Sequence, residues 1–379
     1  MKGKGIHGTA AGPRWLLTTV VVLVLALVAA PLTLADGAGA VAWLKAQQNA
    51  DGGFGAPSSS LGMTADVLLA VASTGESAVG WTRDSKTPLA YLEANVQSAA
   101  KAGDTSKLIL ALIASGQNPR DLGGVDLVAK LEGMAGADGK IGTEADFVNE
   151  HCYAMIALSS AQRVVPAAAV DYLLARQIAD GTWSWNGGTA AGSGDNNTAA
   201  MAVIALMAAG VPADHPQVQK TLQHFQAQQN ADGGFPYIKP SPYGTDSDSN
   251  STAVVMWAVK AAGQDPAGVD WKFQGQDGHS ALDRMRAFQN ANGAFRWQDA
   301  VPADNLASTV QALVALGLKT LPFATMDVGA PVTSAPAQPQ TLPETGADLW
   351  LPILALLGTG IVLVAVGVSL RRASRQSER

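Results

Sequence analysis

The stretch AQQNADGGFPYIKPSPYGTDSDSNSTAVVMWAVKAAG, residues 227–263, contains the pattern that decides the fold. Its composition predicts the end of one helix, a Gly-rich turn, a polar loop and a second, Ala-rich helix. The turn recurs as a Gln placed six residues before an aromatic, with Asp or Asn followed by Gly between them: QNADGGF at 48–54, QIADGTW at 177–183, QNADGGF at 229–235 and QNANGAF at 289–295. Recurrence of one such block indicates a repeat architecture.

The spacing of these turns predicts two further, degenerate units. ADGKI at 137–141 is a degenerate copy of the turn sequence. Residues 88–116 carry the two helical patterns but lack the turn sequence. The chain thus divides into six helix–loop–helix units, at residues 38–75, 88–116, 125–162, 166–210, 215–263 and 281–318. Five second helices are followed by a glycine that we expect in the left-handed conformation of a C′ cap: Gly75, Gly116, Gly210, Gly263 and Gly317.

The two helices of each unit differ in how their apolar residues are distributed. First helices carry mixed faces and are predicted to lie outside, whereas second helices, such as residues 198–209, are apolar on nearly every side and are predicted to be buried. No strand pattern exceeds a few residues, so the predicted class is all-α. An open solenoid needs polar capping repeats. Because the first and last units are as apolar as the others, closure into inner and outer helix rings is favoured.

The turn block, with a pair such as Trp43-Leu44 or Tyr172-Leu173 five residues before its Gln, resembles the QW-type repeat of the prenyltransferase/squalene-cyclase superfamily. The resemblance covers about residues 38–318 and implies an α6/α6 toroid of six helical hairpins, which we assign to residues 36–323. The superfamily contains terpenoid cyclases and protein prenyltransferase subunits, but also proteins that are not enzymes. The resemblance therefore implies the fold and leaves the activity open.

The catalytic motifs of that superfamily are incomplete in this sequence. Class II terpenoid cyclases use a DxDD general acid, and the nearest string, Asp246-Ser247-Asp248-Ser249, lacks its last Asp. Prenyltransferases bind zinc through an Asp-x-Cys pair, but Cys152 has Glu150 two residues before it. The Gly-Cys-Gly-Glu-Gln thioester motif is absent. We therefore predict a non-catalytic protein with neither a metal nor a cofactor, and keep a cyclase- or prenyltransferase-like enzyme as the alternative.

Polar residues recur where the second helices begin. If all six inner helices point the same way, their N-termini surround one opening of the ring, which we call the mouth, with hydrogen-bonding groups and partial positive charge. The predicted ligand-binding residues there are Asn149, Glu150, His151, Asp195, Asn196, Asn197, Asp248, Asn250, Asp304 and Asn305. Helix N-capping is the alternative explanation, because Asp, Asn and Ser accept bonds from free N–H groups at helix starts.

Three units also place a second aromatic two residues after the one in the turn. These are Trp185, Tyr237 and Trp297. Each could offer a stacking face to a ligand at the mouth, and packing between repeats is the alternative.

The N-terminus predicts export of the chain. Residues 1–35 combine Lys2, Lys4 and Arg14 with an apolar run and small residues, which is the pattern of a secretory signal peptide. An uncleaved membrane anchor is the alternative. Residues 324–341 are rich in Pro, Ala and Thr and are predicted to be an extended linker.

The C-terminal residues 342–379 resemble the cell-wall sorting signal of Gram-positive surface proteins. Leu342, Pro343, Glu344, Thr345 and Gly346 form an LPxTG motif, followed by an uncharged segment at 349–370 and a basic tail with four Arg. The segment is long enough for a transmembrane helix, and the tail favours a cytosolic end. The resemblance implies that a sortase cuts between Thr345 and Gly346 and joins the chain to the cell envelope. A plain membrane anchor is the alternative.

Charge and cysteine content limit the remaining possibilities. The net charge of −6 argues against nucleic acid as a partner, and the single Cys152 excludes an internal disulfide. We therefore predict an exported protein on the cell wall or cell surface, held in the membrane before sortase processing. Its toroid would bind an unidentified small molecule, glycan or protein at the mouth. A purely structural display domain is a further alternative.

Overall fold

The computed structural model describes residues 37–143, 146–242, 244–275 and 277–330. Twelve α-helices occur there, in six consecutive pairs: α1 (Gly37–Ala46), α2 (Leu61–Ser73), α3 (Pro88–Asn95), α4 (Ala102–Ala114), α5 (Leu127–Glu132), α6 (Val148–Ser160), α7 (Ala167–Leu174), α8 (Asn196–Ala208), α9 (Pro216–Gln228), α10 (Ser249–Ala261), α11 (Ala281–Ala287) and α12 (Leu306–Leu316). Two 3₁₀ turns lie at Val96–Ser98 and Val269–Trp271. The six predicted hairpins are confirmed.

The even-numbered helices form a closed inner ring. Each packs on the next in chain order, and α12 packs back on α2. α8 shows why the ring is tight: ten of its thirteen residues are buried, and four of those ten are alanines that allow close approach. The odd-numbered helices bury only one stripe, as α1 does with Ala40, Val41 and Leu44. The predicted α/α toroid is therefore confirmed.

The recurring Gln and aromatic residues hold each turn in place, and Gln229 also joins its turn to the next unit by donating to the Trp271 carbonyl over 2.9 Å. Gln48 and Gln229 donate from Nε2 to the carbonyl oxygens of Gly52 and Gly233, each over 2.9 Å. Phe235 is fully buried, and its backbone N–H donates to Thr252 Oγ1 on α10 over 3.0 Å. Gly233 has φ +86, and a Cβ there would collide with the Ser280 carbonyl. The sequence repeat thus encodes a repeated set of hydrogen bonds.

Four of the five glycines predicted to follow the inner helices adopt the left-handed conformation. Gly75, Gly116, Gly210 and Gly263 adopt positive φ as expected, with values between 72° and 89°. The prediction for Gly317 is wrong: its φ is −73, and Leu318 adopts the left-handed conformation at φ 49 instead. In the third unit, which lacks the glycine, Gln162 takes this position with φ 51.

A short β-hairpin, which the sequence did not predict, precedes α12. Strands β1 (Phe295–Gln298) and β2 (Val301–Asn305) pair antiparallel, with a register shift between Arg296 and Gln298. The hairpin replaces the polar loop of the other units, so the class remains essentially all-α.

The segment after α12 returns across the ring. Residues 320–329, which we call the strap, cross the C-terminal ends of the inner helices. Ser160, the last residue of α6, donates from Oγ to the Ala324 carbonyl over 2.7 Å, and its own carbonyl accepts from Met326 N over 2.8 Å. Arg120 then donates to the carbonyls of Val328 and Gly329, each over 2.9 Å. The linker was predicted to begin at Ala324, but the chain packs on the ring as far as Gly329.

The predictions for the two ends lie outside the described residues. These are the signal peptide at 1–35, most of the linker, and the sorting signal at 342–379 with its segment 349–370. Within the described part of the chain, none of the helices has the length and apolar character needed to cross a membrane.

Candidate functional site

A cavity of 510 Å³ lies on the ring axis where the inner helices begin, and we call it the axial cavity. Its lining comes from α4, α6, α8, α10 and α12 and the residues just before them: Lys101, Gly103, Asp104, Lys107, Phe147, Asn149, Glu150, Tyr153, Asn197, Met201, Val254 and Gln311. Its volume falls within the range typical of small-molecule sites.

Most of the lining of the axial cavity falls into two layers. Three second residues of inner helices form the upper layer: Gly103, Asn149 and Asn197. Residues four positions on from the second residue of a helix lie one turn deeper on the same face, and five of them form the second layer: Lys107, Tyr153, Met201, Val254 and Gln311. Where the upper layer has Gly, a side chain would not fit freely: a Cβ on Gly103 would lie 2.7 Å from Glu150 Cγ.

Two upper-layer amides have no hydrogen-bond partner. The Oδ1 atoms of Asn149 and Asn197 are buried, and nothing in the described part of the chain donates to them. Asn250, at the same position of α10, is instead fully engaged: its Nδ2 donates to Gln311 Oε1 over 2.6 Å and its Oδ1 accepts from Ser308 Oγ over 2.9 Å. Buried carbonyl oxygens are normally paired. Because both oxygens are closed off from solvent, the axial cavity does not present them to a ligand.

The lining of the axial cavity contains two lysines and two acids, and Asp66 beside it adds a third carboxylate. Lys107 Nζ lies 2.7 Å from Asp66 Oδ2 and 5.3 Å from the centroid of the Tyr153 ring. Burial lowers the pKa of Lys107, but the Asp66 carboxylate outweighs it and holds the pKa above its ordinary value, so this lysine stays charged. Glu150 accepts from the backbone N–H of Phe147 over 2.8 Å and thereby stabilises the start of α6.

Three of the predicted ligand-binding residues are N-caps. Asp195, Asp248 and Asn305 accept from the backbone N–H groups three residues later, over 2.7, 2.7 and 2.9 Å. Burial raises the pKa of both Asp195 and Asp248. None of the three is in the lining of the axial cavity, so the capping explanation accounts for them.

The cyclase-like string Asp246-Ser247-Asp248-Ser249 also lies away from the axial cavity. Asp246 borders a separate, open groove beside Arg284, and Asp248 is buried at the start of α10. Its carboxylate is engaged by Ser251, whose Oγ donates over 2.7 Å. This string is therefore not positioned to donate a proton to a ligand in the axial cavity.

His151, Asn196 and Asp304 do not fit the predicted role, because their polar atoms serve the fold. Asn196 donates from Nδ2 to the Pro236 carbonyl over 2.8 Å, and its Oδ1 lies 3.0 Å from His224 Nε2. Asp304 accepts from Asn290 and Asn292 at the neighbouring turn. All three are absent from the lining of the axial cavity.

His151 is fully buried between α6 and α7. Its Nδ1 accepts from Ile141 N over 2.9 Å, so the proton is on Nε2, which donates to the Ala169 carbonyl 3.1 Å away. Burial lowers its pKa from 6.5 to about 4. The neutral form is therefore the one that the fold requires.

We expect His151 to make the protein less stable in mild acid. Above pH 6.5, His151 is neutral in both the folded and the unfolded chain. Between pH 6.5 and 4, His151 binds a proton in the unfolded chain but not in the folded one. The free energy of unfolding should fall by up to about 3 kcal/mol across that window. Urea unfolding at pH 7.5, 6 and 4.5 would show the fall. The fall in the free energy of unfolding should be smaller in His151→Gln, because glutamine can still donate to the Ala169 carbonyl but does not titrate. An equal fall in the two proteins would show that His151 is not its source.

The three aromatic residues that follow the turns, Trp185, Tyr237 and Trp297, lie at the N-terminal ends of the inner helices of the preceding units. The side chain of Tyr237 lies beside Asp195, and that of Trp297 lies beside Asp248. Trp185 packs edge-on against Phe147, with 4.8 Å between ring centroids. All three stay half-exposed, at 47, 41 and 46 %. Only Trp185 adjoins the axial cavity, through Phe147.

Sequence reasoning found Asn149, Glu150 and Asn197 but missed the other nine residues that line the axial cavity. Most could have been found by counting four residues on from the second position of each inner helix. That rule gives Lys107, Tyr153, Met201, Val254 and Gln311. Cys152, predicted to be a core residue, is fully buried, and burial raises the pKa of its thiol. Among the described residues, no group of three or more His, Cys, Asp or Glu side chains could hold a metal ion.

Comparison with known proteins identifies related sequences and folds. The profile of the Prenyltransferase alpha-alpha toroid domain matches residues 14–236 and 237–332. A squalene–hopene cyclase of Zymomonas mobilis subsp. mobilis is 31% identical over 146 residues, which is 34% of this chain and only 21% of that protein. The type II terpene cyclase MstE from Scytonema superposes with a TM-score of 0.52 at 15% identity, covering 74% of this chain and 96% of that one. At this identity the likeness shows the fold alone.

Proposed function

Because the chain belongs to the prenyltransferase alpha-alpha toroid domain family, whose fold does not by itself determine an activity, we propose a binding function for its ring. The ring takes a small polar ligand into the axial cavity and does not transform it. The observation that carries this proposal is the axial cavity itself, which has a volume of 510 Å³ and a lining rich in amide and charged side chains.

The proposal includes export and attachment to the cell envelope. Residues 1–35 and the LPxTG motif at 342–346, with its apolar segment and basic tail, support it. In this scheme a sortase cleaves between Thr345 and Gly346, and the membrane holds the chain before that step. The ring is then displayed outside the cell.

A cyclase-like enzyme is the second candidate, favoured by the similarity to the squalene–hopene cyclase. Two observations weigh against it. The axial cavity is lined by four charged side chains and three amides, whereas an isoprenoid chain requires apolar walls. In addition, Asp248 lies outside that lining and is occupied as an N-cap. A display domain without a ligand is the third candidate, and it gives no reason for a polar cavity of 510 Å³.

A thermal-shift screen of the full chain, purified in mild detergent, tests the binding function. A ligand that binds only the folded state raises the unfolding midpoint. We expect one class among saccharides, short peptides, isoprenoid diphosphates and squalene to raise it by several degrees, with the compound recovered unchanged. A product dependent on Asp248, lost in Asp248→Asn, would establish the enzyme instead. A flat response to every class would favour the display domain.

A further inference from the structure

The axial cavity carries more negative than positive charge. Lys107 is neutralised by Asp66, whose Oδ2 lies 2.7 Å from the lysine Nζ. The lining is then left with the carboxylates of Asp104 and Glu150 against the single ammonium of Lys101. Lys101 is exposed, so solvent screens its charge. The axial cavity therefore attracts a ligand that carries a positive charge and repels an anion.

Both carboxylates lie over glycines of the preceding inner helices. Asp104 and Glu150 are the third residues of α4 and α6. A Cβ on Gly62, the second residue of α2, would lie 3.5 Å from Asp104 Oδ1. A Cβ on Gly103 would lie 2.7 Å from Glu150 Cγ. Within the described residues Glu150 accepts one hydrogen bond, from Phe147 N, and Asp104 accepts none. Asp104 thus keeps its full capacity to accept hydrogen bonds from a ligand.

The same lining also offers hydrogen-bond donors. The Oδ1 atoms of Asn149 and Asn197 are closed off, but their Nδ2 groups are not, and none of the described residues accepts from them. Gln311 accepts from Asn250 through Oε1, which leaves its Nε2 as a third donor. A ligand that satisfies this lining must combine a cation with acceptor oxygens. A polyamine has no such oxygen, and a neutral sugar has no cation.

Aromatic side chains extend the surface beyond the axial cavity. Among the described residues seven large apolar side chains are exposed, and the four aromatic ones all lie at the N-terminal ends of α6, α8 and α10: Phe147, Trp185, Tyr237 and Trp297. The backbone carbonyls of Trp185 and Tyr237 accept from the first N–H groups of α6 and α8, over 3.0 and 2.9 Å, and so hold both residues at the mouth. Trp, Tyr and Phe are enriched in protein-binding surfaces. This placement favours a ligand that is longer than the cavity and has side chains of its own.

We propose, resting on the binding function above, that the axial cavity and the aromatic residues at its mouth bind a short peptide through an ammonium group. The ammonium, from a lysine side chain or from the peptide N-terminus, donates to Asp104 and Glu150. Backbone carbonyl oxygens of the peptide accept from the Nδ2 groups of Asn149 and Asn197. Apolar groups of the peptide outside the cavity pack on Trp185.

Calorimetric titration of the full chain in mild detergent tests the role of the ammonium. The probes are three tripeptides with amidated C-termini: trialanine, N-acetyl-trialanine and N-acetyl-Ala-Lys-Ala. Glucosamine and spermidine are the competing ammonium compounds. We expect trialanine amide, N-acetyl-Ala-Lys-Ala amide or both to bind, and N-acetyl-trialanine amide to bind at least about tenfold more weakly. The two ammonium peptides distinguish an N-terminal ammonium from that of a lysine.

Charge variants test whether the peptide binds in the axial cavity. Asp104→Asn should lower the affinity by about tenfold. Lys101→Gln removes the opposing charge and should raise the affinity by about threefold. Glu76→Gln is the matched control, because it also removes one negative charge but lies exposed beyond the C-terminal end of α2; it should leave the affinity unchanged. Trp185→Ala should lower the affinity by about threefold.

The opposite effects of Asp104→Asn and Lys101→Gln make the test independent of folding, because a damaged ring does not bind more tightly. Asp104 accepts no hydrogen bond from the described residues, so Asp104→Asn should shift the unfolding midpoint of the ligand-free protein by less than about 3 °C. If Asp104→Asn fails to fold, the direction of the change in Lys101→Gln decides.

The remaining outcomes separate this proposal from the binding function. Equal binding of N-acetyl-trialanine amide, an unchanged affinity in Asp104→Asn or a lower affinity in Lys101→Gln would overturn the ammonium site. Binding of glucosamine or spermidine that depends on Asp104, with no peptide binding, would overturn the peptide as ligand. If none of these probes binds but another class responds in the thermal-shift screen, the proposal fails and the binding function stands. If that screen is also flat, the binding function fails as well.

Discussion

Replacing Trp183 with alanine is expected to lower the free energy of unfolding by about 3–5 kcal/mol. The ring is fully buried, and its Nε1 donates to the Leu173 carbonyl over 2.7 Å. The Trp183 carbonyl accepts from the backbone N–H of Asp195, the N-cap of α8, over 3.2 Å. Truncation therefore opens a void between an outer and an inner helix and leaves the Leu173 carbonyl without this donor. Chemical denaturation followed by circular dichroism measures the loss.

Two matched variants make the Trp183 prediction specific. Trp183→Phe should cost about 1–2 kcal/mol, because phenylalanine keeps most of the buried surface and already occupies this position in three other units, at Phe54, Phe235 and Phe295. Trp185→Ala, two residues away, should cost about 1 kcal/mol or less, because its side chain is half-exposed. The assignment fails if Trp183→Ala destabilises the protein no more than Trp185→Ala does.

Replacing Arg120 with methionine is expected to release the strap and to lower the free energy of unfolding by about 3 kcal/mol. The arginine is 3% exposed. It bonds to Asp126 over 2.8 Å and to the carbonyls of Val328 and Gly329. Methionine has a similar length but no donor, so one carboxylate and two carbonyls lose their partner. Hydrogen exchange should show faster exchange at Met326, whose amide bonds to Ser160.

Arg163 provides the control for Arg120. It pairs with Glu132 over 2.6 Å, but the two side chains are 34 and 31% exposed. Solvent therefore weakens this pair, and Arg163→Met should change the free energy of unfolding by less than about 1 kcal/mol. Similar losses in both variants, or an unchanged exchange rate at Met326 in Arg120→Met, would show that Arg120 does not hold the strap.

The fold could be predicted because its determinants are local. Gln229, Gly233 and Phe235 lie within one turn, and the bonds from Gln229 to Gly233 and from Phe235 to Thr252 stay within one hairpin, so the same letters recur wherever the same turn is built. The strap could not be predicted in this way. Its partners, Ser160 and Arg120, precede Ala324 and Gly329 by 164 and 209 residues, and no repeated pattern marks such contacts.

The candidate site was predicted only in part, because residue type does not reveal which way a side chain faces. Asn196 and Asn197 are neighbours of the same type, but successive residues of a helix diverge by about 100°. Asn196 accordingly bonds to the Pro236 loop, whereas Asn197 lines the axial cavity. Composition at the helix start indicated the end of the ring at which the axial cavity lies. Whether such a residue caps the helix, bonds to a neighbouring loop or lines the cavity depends on its position within the helix.

The strap makes the ring a receptacle with one opening instead of a channel through the protein. Leu321 is 2% exposed at the deep end of the axis, so a bound molecule must leave by the side through which it entered. A ligand longer than the enclosure must keep its far end in solvent, which would allow recognition of the terminus of a polymer.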